Sequence, residues 1–158
     1  YSSRVGAGPM PSELHDETGE LIRQRGNEYG TTTGRPRRTG WFDEVVARQS
    51  ARLNGVDEVA LTLLDVLDAF ETIRTCTAYR RGDEILHHLP AVLEDAENAD
   101  PVWAEHEGWS TDITGARSYD ELPSQAAKYI GHIENVLGAR VRYIGVGPAR
   151  EQLIDRGA

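Results

Sequence analysis

Residues 31–38, Thr-Thr-Thr-Gly-Arg-Pro-Arg-Arg, set the strongest limit on the folds open to this chain. Three hydroxyls and three guanidinium groups within eight positions are not expected in an apolar core, where each unpartnered donor costs free energy. Pro36 is excluded from a helix interior, and Gly34 frees the backbone for a tight turn. The stretch from Asn27 to Trp41 therefore predicts an exposed loop. Guanidinium forks match carboxylate and phosphate oxygens in pairs, and Thr hydroxyls and glycine-freed N–H groups add further donors. The chain carries a formal charge of −9, so the block is a local cationic island and reads as an anion-binding loop. A disordered basic loop, or a kinase target at Thr39 after Arg37-Arg38, fits the same residues.

At 158 residues, with 39% apolar and 27% charged positions, the chain has the length and composition of one globular domain. No apolar run approaches the ~20 residues of a membrane-spanning helix, and Tyr1-Ser2-Ser3-Arg4 does not open a signal peptide. A start at Tyr1 rather than Met is expected for a segment of a longer protein. The lone Cys76 fits a reducing cytoplasm and reads as a buried, inert thiol. The net charge argues against nucleic acid as a partner. Sixteen Arg against one Lys, Lys128, suits either a salt-adapted source or a GC-rich genome. Small molecules are the expected partners, with no membrane.

Patterning predicts alternating helices and short strands, hence an α/β class. Tyr1–Val5 reads as a strand ending in the Gly6-Ala7-Gly8-Pro9 turn. A modest helix is expected over Pro11–Arg25, broken near Gly19 and stopped at Gly26. Asp43–Asn54 predicts a stronger helix with Val45, Val46, Ala47 and Leu53 near one face. Glu58–Leu64 reads as a strand inside a sheet with Asp65 at its carboxyl end, and Glu71–Tyr79 as a second strand. Arg80–Asp83 is a turn, Pro90–Asn98 a surface excursion and Pro101–Glu107 a short strand. Pro123–Leu137 is a helix, and Val141–Val146 the last strand. Ligands of open α/β sheets gather beyond strand carboxyl ends, which marks Asp65 and the Gly145–Pro148 corner as candidates for one crevice. His15, His87 and His88 read as surface residues rather than metal ligands.

Several separated stretches, taken in order, resemble the C-terminal part of the adenylosuccinate synthetase family. They are Arg4-Val-Gly-Ala-Gly-Pro9, Pro11-Ser-Glu-Leu14, Gly26–Trp41, Leu64-Asp-Val-Leu-Asp68, Cys76-Thr-Ala-Tyr79, Glu121-Leu-Pro123 and Val146-Gly-Pro148. The resemblance spans nearly all of residues 1–158. It implies the C-terminal segment of a larger, mostly parallel-sheet, P-loop-like, GTP-dependent ligase. That enzyme joins IMP to L-aspartate in AMP biosynthesis, is cytoplasmic and homodimeric, and uses Mg²⁺.

The roles implied by resemblance follow position by position. Thr31, Thr32, Thr33, Gly34, Arg35, Pro36 and Arg37 would form the loop that closes over L-aspartate, with Arg35 also reaching IMP. Val5 would contact the IMP ribose through its backbone. Arg37, Leu63, Leu64, Asp65, Gly145, Val146 and Gly147 would form the GTP site, Asp65 reading the guanine donors N1–H and the exocyclic amine. Asp65 alone also reads as a strand-end or cap carboxylate, Gly145–Gly147 as a plain turn, and Asp68 as a helix-face residue.

The sequence departs from the family pattern at Leu63, where a lysine is usual, at Gly145, where serine is common, and at Ala149, where an acid is usual. The family's glycine-rich phosphate loop, its catalytic Asp and His and its Mg²⁺ ligands are expected in an N-terminal part outside these residues. By itself the segment is expected to bind rather than catalyse. A non-catalytic nucleotide- or amino-acid-binding module derived from the family is the alternative.

Overall fold

A computed structural model describes residues 1–157. In chain order the elements are β1 (Ser2–Arg4), α1 (Glu17–Arg25), β2 (Arg38–Gly40), β3 (Phe42–Asp43), α2 (Glu44–Asn54), β4 (Glu58–Leu61), β5 (Thr72–Arg81), β6 (Glu84–Leu86), α3 (Leu93–Glu97), β7 (Asp100–Glu107), α4 (Ser124–Leu137), β8 (Arg140–Gly145) and β9 (Leu153–Asp155). Short 3-10 turns occupy Leu64–Ala69 and Tyr119–Glu121. The α/β class holds. Parallel pairings of β3 with β5 and of β4 with β8 coexist with antiparallel β1–β2, β5–β6 and β8–β9. The chain divides into two compact units, one of residues 1–49 and 74–105, the other of 50–73 and 106–158.

In the first unit, β5 is flanked by parallel β3 and antiparallel β6 and also pairs with β7. The β5–β6 hairpin turns at Gly82, whose φ of +58° suits glycine. Val45, Cys76, Tyr79, Leu86 and Ala99 form its core, with Trp103 and Leu89 packed against them. Asp43 ends β3 and starts α2: its Oδ1 accepts the N–H groups of Val45 and Val46, both at 3.1 Å. The Tyr79 hydroxyl donates to the same carboxylate at 2.8–2.9 Å. Burial raises the Asp43 carboxyl above the ordinary carboxylate range, and these hydrogen bonds oppose the shift. Burial also pushes the Cys76 thiol up to about 12, so the expected inert thiol is found.

The predicted helix over Pro11–Arg25 begins only at Glu17, because Asp16 caps it by accepting the Gly19 N–H at 3.0 Å. Gly19 is not a break. It is buried in the first turn, where a side chain would overlap the Leu14 carbonyl. In α2 the apolar face includes Val45, while Leu53 is 71% exposed and leaves the expected stripe. The 90–98 excursion contains α3.

The second unit places α4 on β8, the middle strand of the β4–β8–β9 sheet. Ala126, Tyr129, Ile130 and Ile133 are the buried face of α4, and Gly138, with φ +63°, closes the helix. Two expectations fail here. The strand after Gly55 stops at Leu61 and lies at a sheet edge rather than inside; Leu63 takes a left-handed φ of +58°, and Leu64–Ala69 winds as a 3-10 turn. The strand ending at Gly145 is not the last, since β9 returns antiparallel beside it. Asp68 does not sit on a helix face: it accepts the Trp109 indole N–H and the Ile113 N–H.

Candidate functional site

The Thr/Arg block folds as a hairpin tip. Tyr29 bridges Pro36, the Gly30 N–H donates to the Arg35 carbonyl at 2.8 Å, and the Arg37 N–H donates to the Glu28 carbonyl at 2.9 Å. At the tip the Gly34 N–H closes on the Gly30 carbonyl at 2.8 Å, with Gly34 at φ +64°. Thr31, Thr32, Thr33, Gly34, Arg35 and Pro36 are all exposed, as the composition required. Arg35 has no side-chain partner among the described residues, so its guanidinium is open to an anion.

The other two arginines of the island are committed. Arg37 Nη1 donates to the buried Glu28 carboxylate at 2.9 Å, and Glu28 is held from its other oxygen by the Tyr1 hydroxyl at 2.8 Å. Arg38 pairs with Glu13. Two acids from neighbouring segments thus engage Arg37 and Arg38, and Arg35 is left as the exposed guanidinium of the island.

Val5 is 78% exposed and faces the same cavity as Arg35. This cavity, about 430 Å³, is lined by Arg4, Val5 and Gly6 on β1 and its turn and by Thr33, Arg35 and Arg37 from the hairpin. Residues far apart in sequence are thus brought together because β1 pairs antiparallel with β2, Arg4 opposite Arg38. Thr31, Thr32 and Gly34 stand at the tip and do not line it.

The remaining candidates belong to the second unit. Leu63 and Gly145 do adjoin: a Cβ on Gly145 would lie 3.3 Å from Thr62 Cα and 3.4 Å from the Leu63 nitrogen. Asp65 opens the 3-10 turn rather than ending a strand. Leu64 and Val146 are buried, so only their backbones can face a ligand. Gly147 is pressed against the Gln152 side chain, whose amide ties the corner: its oxygen accepts the Ala149 N–H at 2.9 Å and its nitrogen donates to the Thr114 carbonyl at 3.1 Å.

A family model for adenylosuccinate synthetase matches residues 1–154.

The chain belongs to the adenylosuccinate synthetase family.

It is 55% identical to the adenylosuccinate synthetase of Trichlorobacter lovleyi, over 96% of this chain and 35% of that protein. The Thermomicrobium roseum adenylosuccinate synthetase is 52% identical over the whole chain and 37% of its own length. The fully ligated adenylosuccinate synthetase of Plasmodium falciparum superposes with a TM-score of 0.93 at 40% identity, over 99% of this chain and 38% of that one. The chain therefore spans little more than a third of these relatives.

Within this adenylosuccinate synthetase segment, Arg4, Gly6, Glu13, Glu28 and Gln152 were not singled out from sequence. Arg4 and Gly6 flank Val5 directly, and that adjacency was the available signal. Glu13, Glu28 and Gln152 act through long-range contacts that leave no local pattern. Mg²⁺ requires several oxygen ligands in octahedral geometry. Glu13 and Glu28 are paired with the arginines that line the cavity, so these two carboxylates do not fit a metal site there. His15, His87 and His88 are exposed as expected.

Proposed function

We propose that the segment supplies substrate recognition to a cytoplasmic, homodimeric ligase that forms adenylosuccinate from IMP and L-aspartate, with GTP hydrolysed to GDP and phosphate. The observation that carries this reading is the cavity shared by Val5 and Arg35. An amino-acid dianion beside a phosphorylated nucleotide needs concentrated cationic donors in a fixed geometry. In the proposed reaction the γ-phosphoryl of GTP activates the IMP 6-oxygen, and the aspartate amine then displaces phosphate.

Arg35, Thr31–Thr33 and the Gly34–Pro36 backbone hold the aspartate carboxylates. Val5 and Arg35 meet the IMP ribose. Arg37, braced by Glu28, offsets negative charge near the nucleotide. Asp65 accepts from the guanine donors while the Leu63–Leu64 and Gly145–Gly147 backbones shape the base pocket. Mg²⁺, when bound, would neutralise phosphate charge, with ligands outside these residues. In the full-length protein Arg35→Leu should raise the KM for aspartate on the order of a hundredfold, the scale of a lost charge-assisted bidentate contact. The KM for GTP should move little; equal effects on both would reject the loop assignment.

A further inference from the structure

Arg38 is the one arginine of the island that reaches backward into the β1 turn. Its Nη1 donates to the Gly8 carbonyl at 2.7 Å and lies 3.4 Å from the Gly6 carbonyl. Its Nε donates to Glu13 Oε2 at 2.7 Å. Glu13 is itself fixed to β2, bridging Gly40, while the next residue's N–H, that of Leu14, donates to the Thr39 carbonyl at 2.9 Å. The neighbouring Arg4 ties the far end of the turn through Nη1 to the Pro9 carbonyl at 2.6 Å. The turn needs such ties: Gly6 and Gly8 have φ of +92° and +104°, a glycine region with little intrinsic preference for one conformation. A planar fork can serve a carboxylate and a carbonyl together, which a lysine does less well.

We infer that Arg38, clamped by Glu13, is a positioning residue that fixes the Gly6–Pro9 turn and thereby the backbone contact of Val5 with the nucleotide. The inference rests on the reading of Val5 as a nucleotide contact. Because Glu13 neutralises it, Arg38 adds little charge to the cavity. Its loss frees the turn and also leaves the Glu13 carboxylate without its arginine partner, an effect that Glu13→Gln does not have, while the guanidinium of Arg35 stays in place.

The test uses the full-length protein and steady-state kinetics with IMP, aspartate and GTP each varied. Arg38→Met should raise the KM for IMP about tenfold, as expected for losing charge-assisted ties, with the other two KM values within about twofold. Arg38→Lys should recover part of the loss. Glu13→Gln should give the same pattern at smaller amplitude, and it decides the matter if Arg38→Met does not fold. A thermal midpoint that falls with all KM values unchanged would reduce Arg38 to a structural brace and overturn the inference. So would an aspartate KM rising as much as that for IMP. Gly6→Ala, which strains the turn directly, separates the two levels. If it raises the IMP KM and Arg38→Met does not, the clamp fails and the nucleotide reading stands. If neither moves the IMP KM, both fail.

Discussion

The hairpin tip of the first unit and the Gly145 corner of the second present different kinds of surface. The tip presents side chains: three exposed threonines and one free guanidinium, on a turn held by backbone bonds between Gly30 and both Gly34 and Arg35. The corner presents mostly backbone, with Leu64 and Val146 turned into the core and Gly145 packed on Thr62. The glycine of each sits under an opposite constraint. Gly34 has φ +64° and open space around it, whereas Gly145 has an ordinary φ and almost no space. On the proposed reading, charge sits where a small, flexible anion would be gathered, and fixed shape where a flat base would be told from another.

The sharpest way to break this contrast is at Asp65, the one proposed charge in the shape-reading corner. Asp65→Ala should lower kcat/KM for GTP on the order of a hundredfold, because a site built for paired donors loses its acceptors. Inosine triphosphate, which lacks the exocyclic amine, should lose much less, and the aspartate KM should hold. Equal losses for both nucleotides would show that Asp65 does not read guanine.

The glycines offer the next, smaller tests. Gly34→Ala meets no atom, so its cost is conformational, about 1 kcal/mol, or roughly fivefold in the aspartate KM. Gly145→Ala keeps its backbone and must displace Thr62 by a few tenths of an ångström; it should raise the GTP KM about twofold and leave aspartate unaffected. If the two variants exchange substrates, with Gly34→Ala affecting GTP and Gly145→Ala affecting aspartate, the division of labour is wrong.

How much of this was legible in the sequence depended on range. The exposed Thr/Arg loop, the α2 and α4 helices and the buried Cys76 follow from composition and periodicity, and all are found. The partners of the arginines were not legible. Glu28 and Glu13 look like ordinary surface acids, yet the first is buried and both are paired. The 3-10 turn at Leu64–Ala69 replaced a longer strand because Leu63 adopts a left-handed conformation that no propensity for leucine suggests. Gly19 resembles a helix breaker until the Leu14 carbonyl beneath it is seen. Asp68 reads as a face residue until Trp109, 41 positions away, donates to it.

The smallest effect separates the scaffolds behind the two regions. The first unit rests on a buried carboxylate, Asp43, and the Gly145 corner on a neutral amide, Gln152. Burial holds the folded-state pKa of Asp43 above its unfolded value, so over that interval the folded state binds more protons. Stability contributed by this group is therefore greatest at acid pH and declines as pH rises from the unfolded pKa through the folded one. Asp43→Asn should remove that decline while keeping an acceptor for the Val45 and Val46 N–H groups, and its amide can donate to the Tyr79 hydroxyl. Thermal midpoints of the wild type minus the variant, measured across the acid range, should fall as pH rises. Gln152→Glu, which adds a carboxylate at an otherwise neutral tie, should change the profile only where that new group titrates. A flat wild-type-minus-Asp43→Asn difference would mean the donors around Asp43 fully offset its burial.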